Sequence, residues 1–221
     1  MKYSIAILLF LLWSNLQSQE TSFKTYSVKE GLAQSQVFSI TQDQNGYLWM
    51  GTQGGGICRF DGEKFLNFTV KDGLTSNTIN SILSLDSKLY IGTNNGISIF
   101  STKKNKIEIQ IPFEESIQKI KIIDSNLFVL SEFNVYILDN KDSLVVYNSN
   151  LKINDNLIQD LFYLDKKHWI TTSNGAICLD DFSKNFRLIN KKVTSHYTKQ
   201  ILYDNSLLIG TYGNGLLVLK K

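Results

Sequence analysis

A motif of about 40 residues, written five times, constrains this chain more than anything else in it. Two or three apolar residues lead to Gly-Thr or a relative of it, then to a Gly or Asn turn, then to an apolar run. The five versions are Leu48-Trp49-Met50-Gly51-Thr52, Leu89-Tyr90-Ile91-Gly92-Thr93, Leu127-Phe128-Val129-Leu130-Ser131, His168-Trp169-Ile170-Thr171-Thr172 and Leu207-Leu208-Ile209-Gly210-Thr211. The steps between the Gly51-equivalent positions are 41, 38, 41 and 39 residues. So even a period identifies a structural repeat, because chance does not hold such a spacing over four steps.

Each unit reads as a set of short strands. An apolar run ends in an aspartate (Asp43, Asp86, Asp124, Asp165, Asp204), placed where Asp side chains cap the backbone N–H groups of a turn. The next strand carries the Trp or Tyr, as at Trp49 and Trp169, and the Gly-Thr motif, with Gly51, Gly92 and Gly210 in its first place. Gly56, Gly96, Asn134, Gly175 or Gly215 then supplies a residue tolerant of the positive φ that tight hairpins demand. The third strands, such as Ile97 to Phe100, are apolar at consecutive positions, which predicts cover on both faces. A more polar fourth strand, such as Lys64 to Phe68, closes the early units.

This pattern predicts an all-β chain, a β-propeller of five four-stranded blade-like repeats at about 29–70, 71–112, 113–150, 151–193 and 194–221. An open β-solenoid fits less well, because its repeat is usually shorter. The last unit stops after its third strand, while residues 22–28 resemble the outer strand Phe65 to Val70. Pairing of that N-terminal segment with the last unit would close the ring and leave no open edge.

Residues 1–18 read as a secretory signal peptide: a basic start at Lys2, nine apolar residues from Ile5 to Trp13, and Ser18 at the cleavage point. The apolar run is too short for a membrane span, which needs about 20 residues. The propeller domain is therefore 19–221, periplasmic or secreted, with no membrane insertion after the signal is removed. Composition removes other classes. The net charge is +3 with no block of like charge, and only Arg59 and Arg187 are arginines, so no nucleic-acid footprint exists. Cys58 and Cys178 fall on opposite-facing positions of different repeats and read as small buried hydrophobes that do not pair.

Gly31-Leu32-Ala33-Gln34-Ser35-Gln36-Val37, Asp43-Gln44-Asn45-Gly46-Tyr47-Leu48-Trp49-Met50-Gly51-Thr52 and Arg59-Phe60-Asp61-Gly62 resemble the two-component regulator propeller repeat. Gly73-Leu74-Thr75-Ser76-Asn77-Thr78-Ile79 repeats the opening. The resemblance implies a periplasmic ligand-sensing propeller, commonly for carbohydrate fragments, that feeds a membrane-bound histidine kinase. Members of that family usually carry many more repeats, an Ig-like segment, a transmembrane helix, and kinase and regulator domains. The expectation here is a stand-alone binding module or a shortened relative, without kinase activity of its own.

Catalytic chemistry is poorly signposted. The five aspartates recur with the repeat and predict turns rather than acid–base pairs, and Glu114-Glu115 reads as a solvated loop. His168 stands where other units carry Leu, and His196 falls in a loop, so no metal set and no cofactor is expected. Gly54-Gly55-Gly56 precedes a strand instead of a helix, which predicts a hairpin, not a phosphate loop. By analogy of fold, a ligand site would lie at the central mouth. Residues there that break the repeat are Gln36, Gln53, Asn77, Asn94, Tyr197 and Tyr212, amides and aromatics suited to a neutral polar ligand such as an oligosaccharide. The alternatives are a partner protein, a membrane sensor kinase among them, and a propeller carbohydrate hydrolase or lyase.

Overall fold

The structure, a computed structural model, describes residues 23–139, 141–147, 157–164 and 167–172, together with the strands at 175–180, 185–188, 197–203, 206–211 and 215–219. The proposed signal peptide, Asp165, His196, Asp204 and Tyr212 lie outside these residues. Among the described residues every regular element but two short 3-10 turns is a strand, and the strands form five antiparallel sheets in chain order.

Sheet one holds β1 (Val37–Gln42), β2 (Leu48–Thr52), β3 (Ile57–Phe60) and β4 (Phe65–Phe68). Sheet two holds β5 (Ile79–Leu85), β6 (Lys88–Thr93), β7 (Gly96–Ser101) and β8 (Lys106–Pro112). Sheet three holds β9 (Ile117–Ile123), β10 (Asn126–Ser131), β11 (Val135–Leu138) and β12 (Leu144–Val146). Sheet four holds β13 (Ile158–Leu164), β14 (Lys167–Thr172), β15 (Gly175–Asp180) and β16 (Asn185–Leu188). Sheet five has three strands, β17 (Tyr197–Tyr203), β18 (Ser206–Thr211) and β19 (Gly215–Leu219).

Successive sheets pack through their first two strands: β1 runs against β5, and β5 against β9. Glycine makes that approach close. A Cβ on Gly51 would lie 2.6 Å from Ile79 Cγ2, and one on Gly92 would lie 2.7 Å from Ile117 Cγ2. The glycine of the Gly-Thr motif is thus the seat for the next sheet's first strand. The backbone joins in, since Ile82 N donates to Ser39 Oγ (3.0 Å) and Ile120 N donates to Ser81 Oγ (3.1 Å). Trp49, Phe68 and Phe100 fill the space further out, with Trp49 and Phe100 rings 4.8 Å apart edge to face. All six residues of β7 are buried, as its unbroken apolar character requires.

The aspartates serve their turns in two ways. Asp43 is buried; its Oδ1 accepts from Asn45 N and Tyr47 N, and its Oδ2 accepts from Trp49 Nε1 at 2.8 Å. Asp86 and Asp124 instead take positive φ, 51° and 46°, in two-residue turns too short for that capping geometry. Gly56 and Gly96 have φ of 82° and 112°. Asn134 makes its hairpin another way: its N–H donates to Ser131 Oγ (3.0 Å).

The strand expected over residues 22–28 is not formed among the described residues. Residues 23–27 carry no strand, and Val28–Glu30 is a 3-10 turn. The reason is local: Ser27 and Glu30 form a capping box, Glu30 Oε2 accepting from Ser27 N at 2.6 Å, which turns the chain at Ser27.

Candidate binding face

Each first strand contains a bulge at the same place, between Val37 and Ser39, Ile79 and Ser81, Ile158 and Asp160, and Tyr197 and Lys199, with the matching irregularity of β9 near Ile117. A bulge leaves one residue out of the ladder and re-aims its side chain. In the first four sheets those residues are Phe38, Asn80, Gln118 and Gln159. Three of the four are amides.

Around them lie the β2–β3, β6–β7 and β10–β11 hairpin tips and the links into the first strands. Asn80 Nδ2 donates to Asn94 Oδ1 (2.9 Å), Ser116 Oγ (3.1 Å) and Ile117 O (3.0 Å). Ser116 Oγ donates to Asn94 Oδ1 at 3.1 Å, and Gln118 Nε2 reaches Ser116 Oγ (3.2 Å) and Glu132 Oε1 (3.4 Å). Gln159 Oε1, the next amide along, is buried and accepts no hydrogen bond.

Four of the six residues singled out in the sequence meet at this end of the sheets. Gln53 N donates to Gln36 O (3.0 Å), Gln53 bridges to Thr78, and Asn94 N donates to Thr78 O (3.3 Å). Asn77 is a fastener as much as a surface group: its backbone O accepts from Gly54 N and Gly56 N, and its Oδ1 accepts from Val70 N at 2.9 Å. Tyr197 opens β17, and Tyr212 lies outside the described residues. Sequence reasoning missed Asn80, Ser116, Gln118, Glu132 and Gln159. The signal was present, because Asn80, Gln118 and Gln159 each stand 12 residues before the Gly51-equivalent of their unit.

Glu115 is not a solvated loop residue. Ser131 Oγ donates to its Oε2, while Asn134 Nδ2 (2.8 Å) and Tyr136 Oη (3.1 Å) donate to its Oε1. The second unit has a neutral version of the same knot, with Thr75 Oγ1 2.9 Å from Thr93 Oγ1 and 3.2 Å from Ser98 Oγ. Burial, then the adjacent Glu115 charge, pushes the Tyr136 phenol up to about 12, so it stays a donor at neutral pH. Beside the knot is an open depression of about 590 Å³ lined by Asn95, Pro112, Phe113, Glu114 and Glu115.

His168 is buried, its ring packed against Phe128, Tyr147 and Tyr163, and burial pushes its pKa down. Cys58 is a buried free thiol raised by burial, and Ala33 N donates to its Sγ at 3.1 Å. Cys178 lies in β15. Among the described residues no group of three His, Cys, Asp or Glu is placed to hold a metal ion, and no helix is long and apolar enough to cross a membrane.

The two component regulator propeller model matches the segment from the end of the capped turn through the first bulged strand to the Gly-Thr hairpin, residues 31–54. The chain carries a two component regulator propeller repeat. Solved structures show the fold around that repeat to be a β-propeller. The extracellular domain of BT4673 from B. thetaiotaomicron, described both as a one component and as a hybrid two component system, superposes with TM-scores of 0.70 and 0.71 at 17% and 19% identity. Those superpositions take in 91% and 90% of this chain but 30% and 28% of that domain, so the chain spans under a third of its relative's length. The Cps50 (Swd1) β-propeller domain of Myceliophteria thermophila matches over 90% of this chain and 66% of that one, with a TM-score of 0.64 and 11% identity. Virginiamycin B lyase from Staphylococcus aureus matches over 81% and 64%, with a TM-score of 0.64 and 14% identity. No curated protein matches the chain.

Proposed function

We propose that this regulator-type propeller is an exported ligand-binding module, released by removal of residues 1–18, that takes a neutral polar ligand such as an oligosaccharide at its amide-lined face. The observation that carries this reading is the cluster of Asn80, Asn94, Ser116, Gln118 and Glu132 at the bulged ends of the first strands. Amide side chains both donate and accept, which matches the alternating donors and acceptors of sugar hydroxyls. The buried Gln159 Oε1, which accepts no hydrogen bond, offers such a hydroxyl an acceptor. The likeness to an extracellular domain of a two component system fits a role in sensing outside the cytoplasm.

Binding is favoured over turnover for a specific reason. The carboxylate beside the depression on this face, Glu115, already accepts from three side chains, which leaves it ill placed as a free acid or base. The test is calorimetric titration of the exported chain with a panel of oligosaccharides, repeated with Gln118→Ala. One sugar that binds the parent chain, with at least about tenfold weaker binding by an equally stable variant, is expected for a ligand contact worth ~1.4 kcal/mol. No binding across the panel, or binding indifferent to Gln118, overturns the site. Turnover of any sugar would restore the enzyme reading.

A further inference from the structure

The first two sheet junctions fill the same register places with side chains of different size. Between sheets one and two, Trp49, Phe68 and Phe100 close the space, and the Trp49 indole N–H has its acceptor in Asp43 Oδ2. Between sheets two and three, the strand pairings put Tyr90, Ile111 and Leu138 at those places. The smaller set leaves a depression of about 450 Å³ whose apolar wall includes Leu85, Leu127 and Leu138. Tyr90 lines it too, 8% exposed, and its hydroxyl makes no hydrogen bond among the described residues. Asp86 holds the place of Asp43 but sits in a two-residue turn at φ 51° and does not reach the phenol. A mostly buried phenol ordinarily has a polar partner, and the depression is where this one would find it.

The depression lies at the end of the sheets opposite the amide face, since β6 runs from Lys88 here to Thr93 at the hairpin tip there. Lys88 Nζ and Asp142 Oδ2 stand beside it 3.5 Å apart, with side chains 39% and 21% exposed. The other ion-pair contacts among the described residues are 2.6, 2.6 and 2.9 Å. A charge-assisted bond is normally about 2.7–2.9 Å, so this pair is loose and each charge has room for a further partner. Asp142 is presented by the β11–β12 turn at φ 58°. Asp139 Oδ1 in the same turn is engaged by Lys141 N and Ser143 N, both at 2.8 Å, which leaves Asp142 as the available carboxylate. Burial raises the Tyr90 pKa, so the phenol stays a donor at neutral pH.

We propose that this depression between sheets two and three is a second binding site, for an apolar α-amino acid. The ligand's ammonium pairs with Asp142, its carboxylate takes Lys88 and the Tyr90 hydroxyl, and its side chain rests on Leu85, Leu127 and Leu138. Binding replaces one loose ion pair with two charge-assisted contacts, so no charge is covered without a partner. The volume falls within the range of small-molecule pockets, about 300–1,000 Å³, and an apolar wall with a few convergent polar groups is their usual lining. A neutral sugar supplies neither charge, so the two ends of the sheets select different ligands. This site does not depend on the reading of the amide face.

The test is calorimetric titration of the full chain with L-leucine and L-phenylalanine, against leucinamide, which lacks the carboxylate, and isocaproate, which lacks the ammonium. One of the amino acids is expected to bind, with the matching truncated analogues, Tyr90→Phe and Asp142→Asn each at least about tenfold weaker, as loss of a hydrogen bond to a charged group requires. Leu138→Phe places at this junction the residue that fills the first one, and should block binding in a chain that stays folded by circular dichroism. Should either core variant fail to fold, Asp142→Asn, in a surface turn, carries the test alone. No binding of either amino acid, equal binding of leucine and both analogues, or binding indifferent to Asp142→Asn overturns the site. Binding lost in Gln118→Ala at unchanged stability also overturns it, by moving the amino acid to the amide face. The sugar titration reads that face separately, so either site can fail without the other.

Discussion

The junction between sheets two and three and the junction between sheets three and four meet the same packing demand with opposite residues. At the first, Gly92 leaves a gap that Ile117 and Ile120 enter, so the first strands β5 and β9 run close together. At the second, Leu130 stands in the glycine's place, fully buried against Ile158, Leu161 and Ile170. There β13 lies against β9 much less extensively than β9 lies against β5. The leucine is a spacer, and what it holds apart is bridged by charge. Asp160 accepts from Lys119 Nζ (2.6 Å) and Lys121 Nζ (2.9 Å), at the position where Ser39 and Ser81 make their backbone bonds elsewhere. A single side chain thus decides whether neighbouring sheets touch backbone to side chain or through an apolar layer with an ionic bridge.

The difference can be tested from both sides. Leu130→Ala should have the largest effect, a loss of about 2–5 kcal/mol, because it removes a buried spacer and leaves a cavity between sheets three and four. Denaturant unfolding measures it, and a loss below that range would show that the sheets collapse to the glycine-type spacing. Gly92→Ala should cost about 1–3 kcal/mol for the opposite reason, overpacking of a Cβ against Ile117. A neutral Gly92→Ala variant would mean that the glycine is not the seat of the junction. The smallest effect is a pH slope at the wider junction, where His168 packs on Phe128 across the two sheets. Burial lowers its pKa in the folded chain, so the unfolded chain binds more protons once pH falls below about 6.5. Melting temperature should therefore fall as pH drops from 7 toward 5, and His168→Leu, the residue of the other units, should flatten that slope. An unchanged slope would place its origin elsewhere.

Strand content and sheet order were legible because they repeat. The step from Gly51 to Gly92 fixes a unit, and the continuous apolar run of β7 already demanded cover on both faces. The candidate face was legible in outline only. Asn94 broke the repeat and was visible for that reason, whereas Asn80, Gln118 and Gln159 obey it and were passed over as strand residues. Their exposure to one end depends on bulges, which no local pattern announces. Glu115 was misread because its three donors, Ser131, Asn134 and Tyr136, are 16, 19 and 21 residues away.

The sequence by itself determined an all-β chain of five similar units, the turn residues of the first three units, and the glycines at the first two sheet junctions, because these follow from periodicity and backbone sterics within one unit. Only the tertiary structure decided which neighbours Gly51 and Gly92 receive, that Leu130 spreads one junction, that Asn77 fastens two sheets together, and that residues 26–32 sit on sheet one. Those outcomes depend on side chains from different units meeting across a gap of a few ångströms, and a chain written in one dimension does not state that distance.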